Sequence, residues 1–433
     1  MILSTEPLDF SSGSSLQGEL FPPGDKSISH RALIMASLAR GQSRIEGLLD
    51  SEDVKATANA CRQLGMSSRH DGNALLIDGV GSAGLKPPES PLDMGNSGTA
   101  MRLLAGVLAA QAFSSTLMGD PSLSSRPMRR IVHPLSLMGA RIQTSEDGTP
   151  PLLIEGNPDL KGISYDSPVA SAQVKSCVLL AGLYARGRTR VREPRKSRDH
   201  TEKMLPSFGV AVGGDCSVGG GSELSAAQIR IPGDISSAAF FLVAAAMIPG
   251  SDLLLRDVGM NETRDGILHV LRAMGADLSV DRRRMFGEEA VGDIRVRHSG
   301  PLKGIDVPVE WVPSLIDELP AIMALASASG GLTRIRGAEE LRVKESDRIA
   351  VMAKGLATLG VELKEYPDGI DIEGGAIGAG AVYGGGDHRC AMSFCILGQL
   401  ASGPVSVAGS ENIDTSYPGF VHDVAAVGGN IFE

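Results

Sequence analysis

The stretch PPGDKSISHR, residues 22–31, sets a lysine and a serine after a glycine turn at the expected start of a helix. Exposed N–H groups at a helix start, with a lysine beside them, make a ready site for an anion. The nucleotide-binding P-loop is a different pattern, needing glycine directly before the lysine and another glycine five residues earlier. Here Asp25 separates Gly24 from Lys26, and Leu20 stands at the outer position, so the anion is not expected to be a nucleotide. Arg31, Arg102, Arg126, Lys175, Arg198, Lys344, Arg348 and Arg389 also lie at or beside polar helix starts. Several charge-assisted hydrogen bonds from such a set would hold a multiply charged substrate and stabilise charge in a transition state.

Carboxylates join these cations in LIDELP (315–320) and LRVKESDR (341–348). Asp317 and Glu318 read either as a helix cap or as a proton acceptor in a cationic site. Lys344, Glu345 and Arg348 read either as a salt-bridged helix start or as a site in which an anion separates two cations. His30 and His388 sit near turns, where single histidines are usually hydrogen-bonded structural groups. No HExxH, Gly-x-Ser-x-Gly, zinc-ligand spacing or post-strand GxGxxG occurs, so neither a metal nor a nucleotide cofactor is expected.

The elements that must position these residues repeat roughly every seventy residues. Six amphipathic helix patterns close on an apolar residue and a glycine, at Gly65, Gly139, Gly209, Gly275, Gly360 and Gly428. Glycine there accepts the left-handed conformation that ends a helix. A more apolar helix with a polar start precedes each one, at DKSISHR (25), GNSGTAM (95), SAQVKS (171), GDISSAA (233), DELPAIM (317) and DHRCAMS (387). PGDKS (23–27) and PGDIS (232–236) echo each other three repeats apart. The chain thus reads as two α/β halves of three units each, with the first twenty or so residues pairing with the second half. If the polar helix starts of both halves face one another, they form a cleft suited to anions.

Bulk properties agree with a multidomain globular chain: 433 residues, 42% hydrophobic, 21% charged and 4% aromatic. A formal net charge of -10 argues against a general nucleic-acid or membrane-surface binder. The five cysteines form no CxxC pair, which points to a reducing compartment. No signal peptide or membrane-length apolar run is evident, and a cytoplasmic location is expected.

PGDKSISHRALIMASLA, GNSGTAMRLL, SSRPM, SAQVKS, RDHTEKML, LIDELP, RVKESDR and DHRCAMSF, in this order, resemble the EPSP synthase family over nearly the whole chain. The resemblance implies two inside-out α/β domains of three βαβαββ repeats each, placed at 23–231 and at 1–22 with 232–433. It implies enolpyruvyl transfer from phosphoenolpyruvate to the 5-hydroxyl of shikimate 3-phosphate, releasing phosphate in the pathway to chorismate and aromatic amino acids. No cofactor is implied, and a monomer is expected.

Carried over by position, Lys26 would touch both substrates. Ser27, Arg31, Ser171, Ala172, Gln173 and Arg198 would meet shikimate 3-phosphate, and Gln173 would also reach phosphoenolpyruvate. Gly98, Arg126, Arg348 and Arg389 would line the phosphoenolpyruvate site. Asp317 resembles the base for the 5-hydroxyl, Glu345 the proton donor and acceptor at the methylene, and Lys344 a partner to both. Ala172, Glu340, Thr415 and Leu103 stand where many members carry serine, asparagine, lysine and proline. Gly98 keeps the glycine whose replacement by alanine crowds the inhibitor glyphosate. The alternative is the sister transferase acting on UDP-N-acetylglucosamine, whose mobile loop carries a cysteine that residues 111–128 lack.

Overall fold

The computed structural model describes residues 1–433. Two compact units emerge: Gly24–Pro232 with Met285–Glu289, and Met1–Pro23 with Gly233–Arg284 and Ala290–Glu433. The boundaries fall at the two PGD motifs. Residues 285–289, expected with the second half, group instead with the first unit.

The first unit holds α1 (Lys26–Leu38), α2 (Glu52–Gln63), α3 (Gly98–Leu108), α4 (Arg129–Leu137), α5 (Ala172–Gly182) and α6 (His200–Met204). The second holds α7 (Ile235–Met247), α8 (Gly266–Ala273), α9 (Val312–Leu315), α10 (Leu319–Ser327), α11 (Arg348–Thr358), α12 (His388–Leu397) and α13 (Phe420–Ala426). The leading helix of each repeat is the apolar one. Every residue of α7, α10 and α12 is buried, and so is α1 from Ile28 onward. Helices that are apolar all round belong in a core rather than at a surface. The following helices bury one stripe only; α13 buries just Phe420 and Val424. Each unit therefore keeps its leading helices inside and its sheets outside, an inside-out α/β arrangement.

Three sheets cover each core. In the first unit Ala39–Glu46 pairs antiparallel with Ala74–Val80, which pairs with Ser67–Asp71. Two strands belong to the unit the chain is about to leave. Gln17–Leu20 runs parallel to Asp252–Gly259, with Gln17 opposite Asp252, before the chain enters the first unit. Gln228–Arg230 runs parallel to Ala39–Glu46 before it returns. Ile2–Thr5 also pairs antiparallel with Val405–Ala408, so the first twenty residues do pair with the second half.

The six closing glycines all have positive φ, from 83° at Gly360 to 108° at Gly65. The repeat led by α10 departs from the expected βαβαββ order. Ahead of α10 the leading strand is reduced to isolated bridges, Lys303 to Gly330 and Asp306 to Arg334. Pro301 and Pro308 bracket that segment, and proline cannot donate to a ladder.

Candidate functional site

In the first unit, side-chain caps define the starts of the leading helices. Asp25 accepts from Ile28 N at 2.8 Å, Ser97 from Ala100 N at 3.1 Å and Ser171 from Val174 N at 3.4 Å. Further bonds join these starts. Gln173 Nε2 donates to Thr99 Oγ1 at 2.9 Å, and Gln173 Oε1 accepts from Arg102 Nη1. His30 lies between Thr57 Oγ1 at 2.7 Å and Ser97 Oγ at 3.3 Å. It is fully buried. Burial, then Lys26 and Arg31, hold its pKa well below the ordinary value. His30 is thus a neutral structural link, not a base.

Gly98 opens α3 under two guanidinium groups. A β-carbon there would lie 3.0 Å from Arg102 Nη1 and 3.3 Å from Arg126 Nη1. Arg126 also donates to Asn96 Oδ1 at 2.5 Å and Ser122 Oγ at 3.2 Å. Lys26 pairs with Asp53 at the start of α2, whose side chain is 5% exposed. Arg31 turns inward, donating to Thr201 Oγ1 at 2.8 Å, Ser176 Oγ at 2.7 Å and the Ser27 carbonyl at 2.8 Å. Burial lowers its pKa to about 10, which leaves it charged at neutral pH.

Lys175, read from the sequence as one more site cation, is instead enclosed by Glu202 at 2.8 Å and Glu193 at 2.9 Å. Burial opposes its charge, but Glu202 and Glu193 outweigh that and raise its pKa. Ala172 is the first residue of α5, and Arg198 lies in the loop ahead of α6.

The second unit concentrates carboxylates around one arginine. Arg348 donates to Asp387 Oδ2 at 2.7 Å, Glu345 Oε2 at 2.5 Å and Asp317 Oδ1 at 3.4 Å. Burial works against the Arg348 charge, yet Asp387, Glu345 and Asp317 together hold its pKa well above the ordinary value. Lys344 Nζ lies 3.6 Å from Asp317 Oδ1 and 3.2 Å from Glu340 Oε1. Arg389 Nη1 donates to the Asp317 carbonyl at 2.9 Å. Asp317, Lys344, Glu345, Arg348 and Arg389 are therefore brought together within this unit.

Two sequence readings change here. Glu318 occupies the cap position of α10 without a capping bond; its buried carboxylate accepts from Ser236 Oγ. The Asp317 carboxylate faces Lys344 and Arg348. Helix α11 begins only at Arg348, with Asp347 capping Ala350 N at 3.0 Å, so Lys344 and Glu345 precede the helix and are not part of its first turn. Asp387 caps α12 by accepting from Arg389 N at 2.9 Å and also anchors Arg348. The Thr415 hydroxyl donates to the Asn412 carbonyl at 2.7 Å, and Leu103 is buried. Asp53 and Glu193 escaped the sequence reading because each acts through a partner distant in sequence and carries no motif of its own; Asn96 and Thr99 lie within GNSGTAM, but their partners Arg126 and Gln173 are distant in sequence.

Two carboxylates among fixed cations can take and return protons while the cations hold an anionic substrate. The comparisons with known proteins agree. Residues 10–424 match the sequence model of EPSP synthase (3-phosphoshikimate 1-carboxyvinyltransferase). The 3-phosphoshikimate 1-carboxyvinyltransferase of Xanthomonas campestris pv. campestris (strain B100) is 54% identical over 412 residues, 94% of each chain. That of Xanthomonas oryzae pv. oryzae (strain PXO99A) is 53% identical, covering 94% of this chain and 93% of its own. The structure of EPSP synthase from Acinetobacter baumannii superposes with a TM-score of 0.88 at 47% identity, covering 100% of this chain and 99% of that one. With its inside-out units and its cation-flanked carboxylates, the chain belongs to the EPSP synthase family.

Proposed function

We propose that the chain carries out one addition–elimination reaction. The chain transfers the enolpyruvyl group of phosphoenolpyruvate to the 5-hydroxyl of shikimate 3-phosphate and releases phosphate. Lys26, Ser27, Ser171, Ala172, Gln173 and Arg198 hold shikimate 3-phosphate, with Arg31 bracing the Ser27 carbonyl. Lys26, Gly98, Arg126, Gln173, Arg348 and Arg389 receive phosphoenolpyruvate.

Asp317 takes the proton of the 5-hydroxyl as its oxygen bonds to C2 of phosphoenolpyruvate. Glu345, protonated, gives a proton to C3, which completes a tetrahedral intermediate bearing both phosphate and carboxylate. Phosphate then leaves C2 while a methyl proton returns to Glu345, restoring the double bond. The Arg348 contact stabilises the Glu345 carboxylate, the form that accepts this proton. Lys344 steadies Asp317. Because the intermediate concentrates negative charge, electrostatic stabilisation by the arginines supplies most of the acceleration.

The observation that carries the reading is the Asp317 carboxylate flanked by Lys344 and Arg348. Its test is a phosphate-release assay. Release is expected only with shikimate 3-phosphate and phosphoenolpyruvate together, and turnover on UDP-N-acetylglucosamine instead would overturn it. The same reading places the chain in the cytoplasm as a monomer. No helix is long and apolar enough to cross a membrane.

A further inference from the structure

The start of α5 and the loop 193–199 are joined by one buried carboxylate. Glu193, its side chain 7% exposed, follows the strand Arg188–Arg192. Its Oε1 accepts from the backbone N of Ser171, the cap of α5, at 2.8 Å. Ser197 Oγ donates to both of its oxygens, at 2.6 and 2.9 Å, and Ser197 N reaches Oε2 at 3.4 Å. Lys175, one turn into α5 and 3% exposed, adds its charge at 2.9 Å and donates to the Ser197 carbonyl at 3.3 Å. Below this, Ser176 Oγ lies 2.7 Å from Thr201 Oγ1, and Arg31 donates to both.

Ser197 immediately precedes Arg198 in the chain, and Ser171 immediately precedes Ala172. One carboxylate therefore fixes the spacing between two segments that are distant in sequence. We propose that Glu193, supported by Lys175, is a positioning residue for the 3-phosphate of shikimate 3-phosphate, locking Ser171 and the Arg198 loop into one receptor. This rests on the reading that Ser171, Ala172 and Arg198 meet that phosphate. A buried carboxylate accepting four charge-assisted bonds from Ser171 and Ser197, with Lys175 beside it, gives a rigidity that Arg198 alone would lack. It also offsets the loss of a side-chain hydroxyl at Ala172, since the remaining donors are held in place before substrate arrives.

The test is a steady-state comparison in the full chain. Glu193→Ala is expected to raise KM for shikimate 3-phosphate on the order of ten-fold or more, the scale of one lost charge-assisted hydrogen bond. KM for phosphoenolpyruvate and kcat are expected to stay within about two-fold. Glu193→Gln, which keeps an acceptor oxygen for Ser171 N, should recover most of the loss. An unchanged KM for shikimate 3-phosphate, or both KM values rising together, would overturn the assignment. Should Glu193→Ala fail to fold, Ser197→Ala decides: it removes the hydroxyl bonded to both Glu193 oxygens, and a KM unaffected by it refutes the brace. Arg198→Ala separates the two levels. If it leaves KM for shikimate 3-phosphate unchanged, the phosphate site is misassigned; if it raises KM and Glu193→Ala does not, only the positioning role fails.

Discussion

Arg348 Nε donates to Asp387 Oδ2 at 2.7 Å, with the two side chains 1% and 0% exposed. Asp387 also caps α12 by accepting from Arg389 N at 2.9 Å, so one carboxylate sets two of the three arginines proposed for phosphoenolpyruvate, Arg348 and Arg389. Removing one partner of a buried ion pair leaves the other inadequately compensated, at a cost of about 3–5 kcal/mol. Asp387→Ala is expected to lose stability on that scale in urea unfolding, and to raise KM for phosphoenolpyruvate. Asp387→Asn keeps an acceptor for the cap and should lose less. Equal unfolding midpoints for Asp387→Ala and the parent would contradict this account.

Lys26 carries two burdens, because its ammonium pairs with the buried carboxylate of Asp53. Lys26→Ala is expected to abolish measurable turnover and also to destabilise the fold by about 1–3 kcal/mol, the cost of stranding a buried polar group. Adding Asp53→Asn should restore most of the stability and none of the activity. A double-mutant cycle by chemical unfolding measures the coupling directly. Coupling near zero would mean that the pair contributes nothing to the fold.

The alternation of apolar and amphipathic helices could be read from the sequence because each amphipathic helix closes on a glycine and each apolar one opens on a polar stretch. The positive φ of all six glycines and the caps at Asp25, Ser97, Ser171, Asp234 and Asp387 are local features, fixed by local chemistry. The inward turn of Arg31 and Lys175 could not be read this way. Both lie on helices near polar starts, and only the approach of Thr201, Glu193 and Glu202 from elsewhere in the chain decides their direction. The start of α11 likewise depends on a distant contact: Ser346 Oγ donates to Asp387 Oδ2 at 3.3 Å, and Asp347 caps the helix by accepting from Ala350 N at 3.0 Å. Motif resemblance named Lys26 and Arg348, but their partners Asp53 and Asp387 emerge only once the chain is folded.

Gly98 leaves no room for a methyl group without movement. Its β-carbon would sit 3.0 Å from Arg102 Nη1 and 3.3 Å from Arg126 Nη1. Both contacts are with the ends of flexible side chains, so Gly98→Ala should fold normally while displacing the guanidinium groups by a few tenths of an ångström. A weakened charge-assisted bond to phosphoenolpyruvate is expected to raise its KM by about ten-fold. KM for shikimate 3-phosphate should change little. Glyphosate inhibition should weaken at least as much if the inhibitor occupies the same space. Unchanged kinetics for phosphoenolpyruvate would show that Arg126 does not meet it.

His30 makes the stability of the first unit sensitive to acid. Burial, followed by the charges of Lys26 and Arg31, keeps its folded pKa well below 6.5, and Thr57 and Ser97 hold the neutral ring. Above pH 6.5 the ring is neutral in both folded and unfolded chains, so it adds no pH dependence. Below that value the unfolded chain takes up a proton that the folded chain refuses, and stability falls as pH falls. The limiting slope is about 1.4 kcal/mol per pH unit, from proton linkage. His30→Gln removes this slope whatever its effect on absolute stability. Urea unfolding at pH 7.5 and 5.5 is therefore expected to show a steeper acid loss in the parent than in the variant. Identical losses would mean that the folded chain accommodates the imidazolium, which is incompatible with a ring enclosed by two hydroxyls and facing two cations.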